Sequence, residues 1–100
     1  MTNNIINNFI KENPIFLGGV KVFSPKNAKK LVRLLINNGK EILGIDGIFV
    51  TKEGHRPSME DSILTYKLYD KDSENEIEKK ILQFIEEKSN KKSLFFEIVF

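Results

Sequence analysis

The sequence predicts a small α/β fold, a sheet of about three to four strands packed against three to four helices, with residues 1–100 forming one domain. Three observations carry that expectation. Residues 42–50 are apolar except for Gly44, Asp46 and Gly47, and most of the apolar ones are β-branched or aromatic. Helical apolar spacing flanks this run on both sides. A second apolar run, residues 94–100, is interrupted only by Glu97 and closes the chain. An apolar content of 40% is enough to fill one core without staples.

Taken in order, Ile5, Ile6, Phe9 and Ile10 give residues 1–13 a short apolar helical stripe. Its asparagines are poor interior helix formers, so packing must hold the helix, and Asn13 with Pro14 ends it. Gly18 and Gly19 break the next apolar residues into a loop and a short strand near 20–23. Ser24 then caps a helix that has Pro25 at its first position, where a missing donor costs nothing. Ala28, Leu31, Val32 and Leu35 face inward on it, Lys26, Lys30, Arg33 and Asn37 face outward, and Gly39 supplies a left-handed stop.

Two readings of residues 41–51 stand open. Asp46 and Gly47 suit the tight turn of a hairpin. Alternatively the stretch is one central strand, whose glycines mark a bulge or a close approach of neighbouring backbone. Residues 52–57 read as a polar loop. Ser58 then caps a helix reaching about Tyr69, with Asp61 near its positive end and Met59, Ile63 and Tyr66 inward. Lys71 and Asp72 connect to a last helix at 74–89, opened by a Ser73–Glu76 capping box and buried along Ile77, Ile81, Phe84 and Ile85. Glu76 and Lys80 are spaced to pair on its outside. Residues 93–100 should pair with the central stretch and lie against at least two helices, with Glu97 near a rim.

Most catalytic chemistries lack their residues here. There is no cysteine and one histidine, His55, so thiolate and paired-histidine metal sites are excluded. Asp70, Asp72, Glu74 and Glu76 imitate half a calcium loop, but Asn75 stands where its glycine belongs and Ile81 where its bidentate glutamate belongs. Phosphate-loop and nucleophile-elbow motifs are missing, and so small a domain leaves little cleft for Asp46, Glu60 and Asp61 to act as a glycosidase-like pair. The expectation is a non-enzyme with no cofactor and no metal. The opening residues lack a signal-peptide pattern and no apolar run is long enough to cross a membrane, so a cytoplasmic protein without membrane contact is expected.

Charge is distributed unevenly. Residues 1–51 carry seven basic and three acidic side chains, residues 52–78 four and eight. Fourteen of the sixteen basic residues are lysine, so the basic face of the Ser24-capped helix reads mainly as a solvated surface. The acidic block includes Tyr66 and Tyr69, and acidic charge with aromatic anchors suits a basic protein partner better than nucleic acid.

The run Ile-Leu-Gly-Ile-Asp-Gly-Ile-Phe-Val at 42–50, followed by Gly54, Pro57, Ser58 and Glu60, resembles small bacterial immunity proteins of polymorphic and contact-dependent toxin systems. The order of elements also looks like the barstar type of ribonuclease inhibitor. The resemblance implies a cytoplasmic protein, monomeric when free, that binds and blocks a cognate toxin domain, a nuclease among the options. The expected contact set is Asp46, Glu53, His55, Arg56, Glu60, Asp61, Tyr66, Tyr69, Asp70 and Asp72. The alternative is a small nucleic-acid-binding or regulatory module using Lys26, Lys29, Lys30 and Arg33.

Overall fold

A run too apolar for a solvated surface takes the middle of a sheet. In the computed structural model, which describes residues 2–12, 15–17 and 20–100, the chain runs α1 (Thr2–Glu12), β1 (Ile15–Leu17), β2 (Val20–Val22), α2 (Pro25–Asn37), β3 (Gly44–Thr51), β4 (Gly54–Leu64), a 3-10 turn (Tyr66–Asp70), α3 (Glu74–Lys88) and β5 (Leu94–Val99). The main sheet has the order β4-β3-β5 and both pairings are antiparallel. β1 and β2 form a separate hairpin. It meets the main sheet through one bridge, in which Phe23 and Phe96 exchange backbone hydrogen bonds of 2.8 Å.

Alternation along the strands sorts the two faces of the sheet. Ile45, Gly47 and Phe49 lie opposite Ile98, Phe96 and Leu94, and this face carries the core. Gly44, Asp46 and Ile48 lie opposite Val99, Glu97 and Phe95 on the other face. Into the core α2 sends Ala28, Leu31, Val32 and Leu35, and α3 sends Ile77, Ile81 and Ile85, all nearly or fully inaccessible to solvent. α2 packs on β5, and Phe84 of α3 meets the Phe96 ring edge-on at 6.5 Å, so the closing strand lies against two helices.

The helix ends follow their sequence signals. Ser24 Oγ accepts from the Asn27 amide, and Pro25 occupies the first turn. Gly39 takes φ +73°, which lets the Gly39 amide reach Ile36 O and the Lys40 amide reach Leu35 O at 2.9 Å, closing the helix with a Schellman motif. Ser73 Oγ likewise accepts from the Glu76 amide.

Several expectations are corrected. Of the two readings of residues 41–51, the structure has the single central strand and not the hairpin: Gly47 sits inside β3 without positive φ, and the chain reverses at Lys52 and Glu53 instead. Gly54 provides the positive φ, +131°. Residues 54–57 are therefore strand rather than loop, and the helix expected from Ser58 to about Tyr69 is the rest of β4 and the 3-10 turn. With a strand in that place, the order of elements that suggested a barstar-like layout is not the observed one. Residues 15–17 form a strand that the sequence pattern did not single out. Ile5 is 53% exposed while Ile6 is buried, because one turn-wide stripe of a short helix cannot bury both. Lys80 pairs with Asp72 at 2.7 Å, not with Glu76. The helix stop assigned to Asn13 and Pro14 and the break assigned to Gly18 and Gly19 lie outside the described residues.

Gly47 is fixed by space. A Cβ there would stand 2.5 Å from the Asp61 carbonyl oxygen and 2.7 Å from Asp61 Cβ. Replacing it with alanine should therefore cost about 1–3 kcal/mol by overpacking. Denaturant unfolding of Gly47→Ala checks this, and a loss within about 0.5 kcal/mol would show that β4 can retreat freely.

Candidate protein interface

β4 is an edge strand, paired on one side only. Ten of its eleven residues are exposed or half-exposed, and Asp61 alone is buried. Pro57 fits that position, because an edge strand tolerates a missing donor. Midway the strand is interrupted. Ile45 pairs with Ile63 and Gly47 with Ser58, so Asp46 alone on β3 faces four residues, 59–62, on β4. A bulge of this kind re-aims side chains and stops an edge from pairing with a further strand.

The bulge is closed from within. Ser62 Oγ donates to Ser58 O at 2.7 Å and accepts from the Gly47 amide at 3.1 Å. Ser58 Oγ donates to Asp61 Oδ2 at 2.7 Å. Asp61 Oδ1 receives Lys91 Nζ at 2.7 Å and Lys88 Nζ at 3.4 Å, tying the bulge to the end of α3 and the turn after it. Burial alone works against the charged carboxylate. The Lys91 and Ser58 hydrogen bonds, the Lys91 charge and the Lys88 hydrogen bond outweigh it and hold the Asp61 carboxyl below its ordinary value. The tip is left outside: Met59 is 88% exposed and the Glu60 side chain 85% exposed.

Beyond the bulge, Thr65 is fully buried and donates through Oγ1 to Ile42 O. The Ile42 amide donates to Tyr69 Oη at 2.7 Å, and Tyr69 packs against the core. These bonds fasten the 3-10 turn to the entrance of β3.

The expected contact residues divide accordingly. Glu53, His55 and Arg56 gather at the β3–β4 turn around a cleft of about 350 Å³ that Lys92 also lines, with the Arg56 guanidinium 5.3 Å from the Phe49 ring centre. Glu60 is at the bulge tip, while Tyr66 and Asp70 are exposed on the 3-10 turn at the other end of β4. Three of the expected residues are engaged within the fold. Asp61 is an internal ion-pair partner, Tyr69 spends its hydroxyl on Ile42, and Asp72 is largely covered beside Lys80. Asp46 lies on the sheet face away from the core, directly opposite Glu97. Burial first, and Asp46 second, push the Glu97 carboxyl above its ordinary value. Met59, the most exposed large apolar side chain among those described, was expected in the core; its place depends on the bulge, which has no short-range sequence signal.

Among the described residues no three acidic or histidine side chains converge as metal ligands, and no helix is long and apolar enough to cross a membrane. Compared with known proteins, the chain matches no family model, and neither a curated protein nor a solved structure is significantly similar to it.

Asp61 and Glu97 should shift stability in opposite senses with pH. A carboxyl with a depressed folded pKa contributes stability above its unfolded pKa, near 3.8 for Asp61, and loses it as pH falls through the lower folded value. Asp61→Asn should cost about 1–3 kcal/mol at pH 7, and the gap from the parent should close below the ordinary carboxylate range. Glu97, raised in the fold, opposes folding once pH exceeds its unfolded pKa, near 4.5. Glu97→Gln should thus stabilise the protein at neutral pH, with the gain fading below that value. Urea titrations from pH 3 to 8 read both trends, and parallel profiles for parent and variants would refute them.

Proposed function

We propose that this chain is a toxin-neutralising immunity protein: a cytoplasmic, non-catalytic binder that occludes a cognate toxin domain through the outer edge of its sheet. The observation that carries the proposal is the bulge of β4, which offers Met59 and Glu60 to solvent on a base held by a buried Asp61 ion pair. A protrusion ordered before binding loses little further freedom on contact, so more of the contact energy appears as affinity. Covering Met59 alone would contribute about 1.5–3 kcal/mol. Glu53, Glu60 and Asp70 lie along the same edge, interleaved with the exposed Lys52, Arg56, Lys67 and Lys71, so recognition there would rest on local charge complementarity rather than on a net acidic field. The resemblance of residues 42–60 to immunity proteins supports a toxin as that partner.

The nucleic-acid alternative has one favourable observation, the exposure of Lys26, Lys30 and Arg33 along α2. Lys29 of the same helix is occupied by Glu86 at 3.2 Å. No aromatic side chain interrupts that row to stack on bases.

Calorimetric titration against the toxin domain encoded by the adjacent reading frame tests the proposal. The double variant Met59→Ala, Glu60→Lys should weaken binding by about 2–4 kcal/mol, while Lys26→Glu, Lys30→Glu should leave it nearly intact. Asp61 is not reversed because a lysine there would disrupt the fold. Loss of toxin binding on the lysine reversal alone would move the interface to α2. Absence of toxin binding, with salt-sensitive binding of RNA or DNA instead, would establish the alternative.

A further inference from the structure

Seven large apolar side chains are exposed among the described residues, and Leu43, Leu64, Tyr66 and Val99 gather at one end of the sheet. Gly44 pairs with Leu64 on one side and Val99 on the other, so those two side chains flank a position that has none. The Leu43 amide donates to Val99 O at 2.7 Å, and Leu43 O accepts from the Thr65 and Tyr66 amides. The backbone of all three strands thus holds this patch together. Exposures are 64% for Leu64, 46% for Tyr66, 42% for Leu43 and 39% for Val99, and apolar residues exposed together on a domain surface often mark a contact site.

The next row on the same face is Asp46 opposite Glu97. Like charges directly across a strand pair repel. The bulge leaves Asp46 without a paired residue on β4, and neither carboxylate forms an ion pair among the described residues. Lys21 lines the cleft beside Glu97. A pair of facing carboxylates bordering an apolar patch is complementary to a cation carried among aliphatic groups.

We propose that this end of the sheet is a second docking surface, for a protein segment that seats an arginine or lysine between Asp46 and Glu97 and lays flanking aliphatic side chains on Leu64 and Val99. The identity of the partner as a toxin rests on the function proposed above; the chemistry of the surface does not. A second copy of this chain is a poor occupant, since a two-fold contact would bring four carboxylates together.

The test is a nitrogen-15 NMR titration of the full chain at low salt with two blocked peptides, leucine-arginine-leucine-leucine and its glutamate counterpart. Saturable shifts are expected at the amides of Leu43, Gly44, Asp46, Leu64 and Glu97 with the arginine peptide, and the Glu97 side-chain pKa should fall on binding. The glutamate peptide, and the Asp46→Asn, Glu97→Gln variant with the arginine peptide, should bind at least tenfold more weakly. That variant removes a repulsion, so its fold is not at risk. The absence of saturable shifts, an equal response to both peptides, an undiminished response in the variant, or dimerisation through these residues would each overturn the proposal. Toxin titration reads the other proposal separately: a silent peptide with intact toxin binding removes only this surface, and a bound peptide without toxin binding removes only the immunity function.

Discussion

Asp61 is the constraint on which the bulged edge of this sheet depends. An ionised carboxylate withdrawn from water is tolerable only when its hydrogen bonds are replaced. Here Ser58 supplies one and two lysines supply the others, so the charge is neutralised where it is least solvated. The lysines are themselves partly solvated, which lowers the cost of bringing the cluster together. The same contact joins β4 to the segment leading into β5, elements that lie on opposite sides of β3. Gly47 completes the arrangement by giving the Asp61 backbone room to lie over the sheet.

The rest of the fold was legible to different degrees. α2 and α3 were readable because periodic burial and local caps agree: Ser24 with Pro25, Gly39, and Ser73 act within a few residues of themselves. β5 was readable because a run of that apolarity has few places to go. β4 was not. Met59 and Ile63 of β4 and Tyr66 of the 3-10 turn are spaced by four and three, which imitates a helix, and the bulge has erased the alternation that would mark a strand. Ser58 and Asp61 resemble helix-start residues for the same reason: both make short local hydrogen bonds, but to each other. The decisive partner, Lys91, lies thirty residues downstream of Asp61.

The two proposed contact surfaces show the same division. Glu53, His55, Arg56 and Glu60 were placed on one edge because they are close in sequence. The apolar end patch was invisible, since Leu43, Leu64 and Val99 become neighbours only through the register of three strands. Asp46 was ambiguous for a related reason. Its chemistry depends on which residue faces it, and Glu97 arrives from the far end of the chain.

A further consequence follows from how the bulge is held. Most of what fixes it lies in its base, in Gly47, Ser58, Asp61 and Ser62, while Met59 projects into solvent and the largely exposed Glu60 adds only a 3.6 Å contact with Lys91. Substitutions at such uncovered positions usually change stability by no more than about 0.5 kcal/mol. The two residues best placed to meet a partner are therefore the two the fold can most easily exchange. On the proposed interface, a lineage could alter recognition at positions 59 and 60 by single substitutions, without first acquiring a stabilising change elsewhere.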